Sequence, residues 1–142
     1  MGIDDLYSRV VRRHSRRPRN KRQCPECTIR AHDDNPMCGD EIEVALELRD
    51  GTILQATFQG QGCAISQASA SMMTEAVRGL TIEHALALEE AVRELLRGMP
   101  PHEDLGDLMA LAATARYPGR ARCAALPWLA LKRALGPAMG TR

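Results

Sequence analysis

The chain has 142 residues, of which 44% are apolar and 26% charged, as expected of a globular domain able to bury its own core. Its net charge of +1 hides three blocks: nine Lys/Arg against three acids over residues 1–30, four against fifteen over 31–107, and six against none over 108–142. The aromatic set is only Tyr7, Phe58, Tyr117 and Trp128, too sparse for stacking bases. No apolar run approaches the roughly 18 residues of a membrane span, and the Arg-rich start lacks a secretory h-region.

In chain order, Ile3–His14 is predicted to form a helix, with Ile3, Leu6, Val10 and Val11 near one face. Arg16–Cys27 carries Pro18, Asn20 and Pro25 and reads as loop. Thr28–Asp33 is a weak strand candidate. Glu41–Leu48 alternates clearly, with Ile42, Val44, Leu46 and Leu48 on one face and Glu41, Glu43 and Glu47 on the other. Asp50-Gly51 then supplies a hairpin turn. Thr52–Gln59 is the partner strand, with Leu54, Ala56 and Phe58 expected inward.

After Gly62 the period becomes helical, through Ile65, Ala68, Met72 and Ala76 to a stop at Gly79. Thr81 is placed to cap a helix over Ile82–Arg97, with Glu89–Arg93 as an i, i+4 pair on the face away from Ile82, Ala85, Leu88, Val92 and Leu95. Leu105, Leu108, Met109 and Ala112 mark a further helix, and a last one is expected to end near Leu135, before Gly136-Pro137. The expected fold is α+β: a small antiparallel sheet of about three strands with helices packed on one face. One domain is expected over 1–142, with a basic helix and loop over 1–30 and a metal-binding core over 31–142.

Five cysteines stand in this chain. With no signal or span, a cytoplasmic, thiol-reducing setting is expected, in which spaced cysteines read as metal-ligating or catalytic rather than as disulfides. Three occupy structural corners: Cys38 in a turn before a strand, Cys63 where a strand meets a helix, and Cys123 near the start of the last helix. Gly39 can adopt backbone angles that turn Cys38 and Asp40 toward one point. Cys63 would sit at a helix N-terminus, where the dipole favours thiolate. Three thiolates and a carboxylate complete a tetrahedral Zn2+ site, and Arg122 beside Cys123 would offset part of its negative charge. Spacing alone leaves open that these are simply buried small residues.

Longer patterns surround these cysteines. Asn35-Pro36-x-Cys38-Gly39-Asp40, Gly60-x-Gly62-Cys63-Ala64-Ile65-Ser66-x-Ala68-Ser69-Ala70-Ser71-Met72-Met73-Thr74 and Arg120-x-Arg122-Cys123-Ala124-x-Leu126-x-Trp128 resemble the three cysteine motifs of the SufU family. Leu6-Tyr7, His14 and Pro18-Arg19-Asn20 resemble its N-terminal segment. The resemblance implies the fold shared by IscU and NifU N-terminal iron–sulfur scaffolds. It implies a zinc-dependent sulfurtransferase that accepts persulfide sulfur from a pyridoxal-phosphate-dependent cysteine desulfurase and passes it to the iron–sulfur assembly machinery. By motif position the zinc ligands are Cys38, Asp40, Cys63 and Cys123, and Cys38 is the sulfur acceptor; Gly39, Arg120 and Arg122 support the site. Arg122 stands where IscU-type scaffolds usually carry histidine, and the Cys63-to-Cys123 step is long for that type. The alternative implied is a scaffold that holds a transient iron–sulfur cluster.

Cys24-Pro25-Glu26-Cys27 is no part of that pattern. The pair is open to three readings: an exposed pair on a variable loop, which is favoured; a pair that cycles as a dithiol; or a second metal site with His14 or His32. With Cys38 it would make a zinc-ribbon nucleic-acid module, against which stand the missing fourth ligand and the unused Cys63 motif. The basic run Arg9–Arg22 reads as a solvated helix face and a docking surface for an acidic partner. His84 and His102 read as surface residues, Met72-Met73 as core, and Pro127 as an interruption of the last helix.

Overall fold

The computed structural model describes residues 7–140, with side chains to residue 136. Three antiparallel strands, β1 (Ile29–Asn35), β2 (Asp40–Arg49) and β3 (Thr52–Gln61), form a sheet of order β1-β2-β3. Around it stand α1 (Arg9–Arg16), α2 (Ala64–Val77), α3 (Ile82–Leu96), a run of 3₁₀ turns over Gly106–Arg116 and α4 (Pro118–Gly140). The expected α+β architecture is thus the observed one.

Alternation orients β2. Asp40, Ile42, Val44 and Leu46 face the helices and are buried, while Glu41, Glu43 and Glu47 face away. Asp50 and Gly51 both have positive φ, 53° and 77°, as a two-residue hairpin turn of this kind requires. The inward face of β3 departs from expectation. Glu47 pairs with Gln55 but Leu48 pairs with Ile53, so Leu54 is an extra residue at a bulge. A bulge breaks the period of two; Ile53 is therefore buried and Leu54 is 37% exposed. The weak strand forms, starting one residue later than predicted and running two residues past its predicted end.

Helices α2 and α4 lie on the sheet, and α1 and α3 pack outside them. The apolar stripe predicted for α2 understates its place: every residue from Ile65 to Thr74 is buried, Ser66, Ser69 and Ser71 included. A helix buried all round carries no amphipathic signature. Its serines are satisfied instead. Ser69 Oγ donates to the Ala124 carbonyl at 2.6 Å and accepts from Trp128 Nε1 at 3.0 Å, which ties α2 to α4. Ser71 Oγ accepts the Arg19 N–H at 2.8 Å and meets His14 Nδ1 at 2.7 Å, which ties α1 and its loop to α2.

Other boundaries shift for local reasons. Ser8 caps α1 through Val11 N–H, so the helix begins at Arg9; the predicted Ile3 and Leu6 lie outside the described residues. Thr81 caps α3 through His84 N–H at 3.2 Å, as expected. The Glu89–Arg93 pair forms at 2.8 Å, but Glu89 is buried rather than on an open face. Over Gly106–Arg116 the buried residues are Leu108, Leu111 and Thr114, a spacing of three that suits 3₁₀ turns rather than the α-helix expected. The last helix starts at Pro118, shortly before Cys123 as expected, but does not end at Leu135. Pro118 occupies its first turn, where a proline costs no hydrogen bond, and it continues through Pro127 and Pro137. Burial of Ala124, Leu126, Trp128, Leu131 and Leu135 holds it on course against the backbone bond that Pro127 withholds from the Cys123 carbonyl.

Behind the sheet the chain makes a strap. Asn20 and Arg22 pair with Phe58 on the open edge of β3, and the chain then crosses the second sheet face to enter β1 at Ile29. Cys24 and Cys27 are joined there by a disulfide and packed on Ala45. This corrects two expectations, since the pair is not exposed and does not join Cys38 in a ribbon. His14 is committed to Ser71 and is not a ligand beside it. Met72 and Met73 are core, and His84 and His102 are exposed.

Candidate metal centre

The hairpin of β1 and β2 and the N-terminus of α2 converge at one end of the sheet. Asn35 pairs with Asp40 across the turn, and Asn35 Oδ1 accepts the Met37 N–H at 3.1 Å while its carbonyl accepts from Cys38 and Gly39. Gly39 has φ +75°, a conformation that costs other residues about 1–2 kcal/mol. The turn therefore presents Cys38 outward, exposed, while Asp40 points inward and is buried.

Cys38, Asp40 and Cys123 offer ligand atoms that all lie within 4.8 Å of one another, the group among the described residues that could hold a metal ion. Cys38 Sγ and Cys123 Sγ are 3.5 Å apart. Two thiolates on one tetrahedral zinc, at about 2.3 Å each, stand about 3.8 Å apart, so little movement separates this arrangement from a loaded one. Cys63 falls outside this closest group. It is the residue before α2, half-buried, and its backbone N–H donates to Asp40 Oδ1 at 3.0 Å. Ser66 Oγ donates in turn to the Cys63 carbonyl at 3.0 Å.

One oxygen of Asp40 is therefore held, and the other, Oδ2, is buried with no hydrogen-bond partner. A buried carboxylate oxygen left so costs about 1–3 kcal/mol or more; a cation among the thiols would satisfy it. Burial works against charge on Asp40, but Cys123, the Cys63 N–H, Cys38 and the Cys63 thiol together hold its pKa below the usual carboxylate range. Cys123 is driven the opposite way. Burial first, then Asp40, Cys38 and Cys63, raise its pKa far above the ordinary thiol value. Without a cation Cys123 stays protonated beside an ionised Asp40. A divalent metal reverses that logic, because coordinated thiols are deprotonated outright. The donor set of soft sulfurs and one carboxylate suits zinc.

Of the two arginines expected to support the site, Arg122 is the one that departs from the sequence reading. Arg122 is exposed. The cation turned toward the thiols is Arg120, whose charge is stabilised by Tyr7 and Cys63 and further by Cys123. Residues three apart on a helix share a face, so Arg120 stands above Cys123 whereas its neighbour Arg122 points away. Gly62 is a residue that chemical reasoning passed over. A Cβ there would lie 2.7 Å from the Asp40 carboxylate and 2.5 Å from Ser66 Oγ. Only glycine lets Asp40 reach the Cys63 N–H, and the Gly-x-Gly-Cys run was the available signal.

Comparison with known proteins agrees with this geometry. The model of the NifU-like N terminal domain matches residues 6–124. The chain belongs to that family. Within it, the chain is 38% identical over 140 residues to the zinc-dependent sulfurtransferase SufU of Bacillus subtilis, covering 97% of this chain and 95% of that one. It is 39% identical over 135 residues to the iron–sulfur cluster assembly scaffold protein IscU of Streptococcus pyogenes, covering 94% and 84%. Among solved structures, the putative iron–sulfur cluster assembly scaffold protein for the SUF system of Fervidobacterium islandicum superposes with a TM-score of 0.88 at 30% identity, covering 94% of this chain and 99% of that one. The IscU/SufU-like resemblance of the cysteine motifs is borne out. Among the described residues, no helix is long and apolar enough to cross a membrane.

Proposed function

We propose that this NifU-like domain works in iron–sulfur cluster assembly as a zinc-dependent sulfur acceptor. It takes persulfide sulfur from a cysteine desulfurase and delivers it to the assembly machinery. The observation that carries this reading is the contrast inside the centre: Cys38 is exposed on a turn hinged at Gly39, while Asp40 and Cys123 are buried behind it. A structural zinc site has no need to show one sulfur to solvent; an acceptor does.

Zinc would be held by Cys38, Asp40, Cys63 and Cys123, and when bound it supplies the positive charge that keeps the sulfurs as thiolates and restrains their nucleophilicity. Cys38 is the sulfur able to leave that grip, because its turn is open and Gly39 tolerates rearrangement. Its thiolate attacks the outer sulfur of the donor persulfide, as in thiol–disulfide exchange. A bond forms between Cys38 Sγ and that sulfur, the donor's own S–S bond breaks, and the donor cysteine departs as thiolate. Arg120, beside Cys63 and Cys123, offsets negative charge at the centre. The basic face of α1, with Arg9, Arg12, Arg13 and Arg16 in solvent, is a docking surface for an acidic partner.

The test is desulfurase turnover with and without this protein, zinc content being measured alongside. Cys38→Ala should fold, and should abolish stimulation of turnover; retained stimulation rejects the role. A second reading, a scaffold on which the cluster itself is built, is favoured by the 39% identity to a protein named as such a scaffold. Stoichiometric zinc without iron–sulfur absorption in protein purified without added metal supports the first reading. A labile cluster that passes to an apo-acceptor supports the second.

A further inference from the structure

The pair Cys24 and Cys27 takes no part in the centre just described. Its sulfurs pack on Ala45, an odd-numbered position of β2, whereas Asp40 is on the even-numbered face beneath the helices. Five residues of strand, about 17 Å, and the sheet itself separate the two cysteine groups. We propose that Cys24–Cys27 is a second thiol site in this protein, a disulfide opened and closed by exchange with a dithiol reductant, independent of the metal centre.

Three observations carry this. The first is that the surroundings already provide for the reduced form. Glu26 Oε2 lies 3.4 Å from Cys24 Sγ and Gln55 Oε1 lies 3.8 Å away. A disulfide sulfur has no hydrogen to offer these oxygens, whereas a Cys24 thiol does. The site is thus furnished for both redox states.

The second is access. Cys24 lines an open cavity of about 350 Å³ with Gln23, Pro25, Arg30, Glu43 and Gln59. Cys24 itself is buried, so an incoming thiolate reaches its sulfur by that route only as the turn around Pro25 opens toward the cavity. The third is that opening the bond costs little elsewhere. Only Ala45 shares the apolar cluster with the two sulfurs, while the ends of the strap are fixed by other bonds. Arg22 and Asn20 bond the backbone of Phe58, Lys21 Nζ donates to Gln67 Oε1 at 2.7 Å, and Arg30 Nη2 donates to the Cys24 carbonyl at 2.8 Å. Where thiols are kept reduced, disulfides that do form are characteristically of the exchanging kind.

The exchange balances without further reactants. One thiolate of the reductant attacks Cys24 Sγ, the Cys24–Cys27 bond breaks, and Cys27 leaves as thiolate and takes up a proton. The second thiol of the reductant, as thiolate, then displaces Cys24, which is protonated and donates to Glu26. The reductant ends as a disulfide, having given up two electrons and two protons, and the pair ends as two thiols.

Trypsin makes the test direct, because cleavage after Arg22 and Arg30 releases Gln23–Arg30, which holds this pair and no other cysteine. Native full-length protein is equilibrated in graded mixtures of reduced and oxidised dithiothreitol, quenched with iodoacetamide and mapped by mass, with metal content read alongside. The expected result is a reversible change from no alkyl groups to two on that peptide, at constant metal content. Glu26→Gln should shift the equilibrium toward the disulfide by roughly three- to tenfold, since the thiol loses a charged acceptor. Two free thiols at every poise, a disulfide that opens only in denaturant, or a second equivalent of zinc captured on reduction would each overturn the proposal. An unshifted Glu26→Gln equilibrium would overturn the role given to Glu26.

Discussion

Two groups of cysteines sit on opposite faces of one three-stranded sheet, and they meet opposite chemistry. On the helix face, Cys38, Cys63 and Cys123 surround a buried carboxylate with one oxygen unpartnered. On the other face, Cys24 and Cys27 meet the methyl group of Ala45 and one another. The residue type is the same in both places. What differs is whether a buried anion is present to demand a cation. Where Asp40 stands, the sulfurs are placed to act as ligands; where Ala45 stands, they are joined in a covalent clasp.

The largest expected effect follows from removing a sulfur on the helix face. Cys123→Ser should lose stoichiometric zinc and much of its thermal stability, since structural zinc contributes about 10–16 kcal/mol to small domains that depend on it. Elemental analysis and a melting curve check this, and the Gln23–Arg30 disulfide should remain. Loss of that disulfide as well would show that the two faces are coupled.

Next comes Gly62→Ala, which forces a methyl group against the Asp40 carboxylate. Strain of this kind costs about 1–3 kcal/mol, so zinc affinity should fall by roughly tenfold or more, readable by competition with a chelator. Ser69→Ala should behave differently. It strands the Trp128 N–H at a cost of about 1–3 kcal/mol, and so should lower the denaturant midpoint while leaving zinc bound.

The pH dependences have opposite signs. In the metal-free protein the raised Cys123 pKa means that the folded state keeps a proton which the unfolded chain releases. Its contribution is complete below the ordinary thiol range near 9 and is lost as pH rises through and beyond it. Zinc should abolish that loss. His14 is the reverse case. Burial lowers its pKa against the opposing pull of Asp107, so its contribution is complete above about 6.5 and is lost as pH falls below. Chemical melts of apo and loaded protein from pH 5 to 10 would display both. The smallest effect expected is Arg122→Ala, with little change in zinc release; Arg120→Ala should change it more.

Much of this was legible in the chain and some was not. Alternation through Ile42, Val44 and Leu46 gave β2, and Asp50-Gly51 gave the hairpin, because both are local. Leu54 was misplaced because a bulge is a property of two strands together. The full course of α4 was hidden by Pro127 and Gly136-Pro137, whose local cost is outweighed by burial around Trp128. Cys38, Asp40, Cys123 and Arg120 were legible through motifs, whereas the turning away of Arg122 needed the helix phase. The strap was illegible: a C-x-x-C in an aperiodic loop carries no signal of which face it will cross.

The most direct measurement is zinc per chain with cysteine-by-cysteine alkylation of the native protein. One zinc, with Cys38, Cys63 and Cys123 protected until the metal is chelated and Cys24–Cys27 unaffected by chelation, is the predicted result. Zinc held by Cys24 and Cys27, with the other three cysteines alkylated at once, would contradict the account.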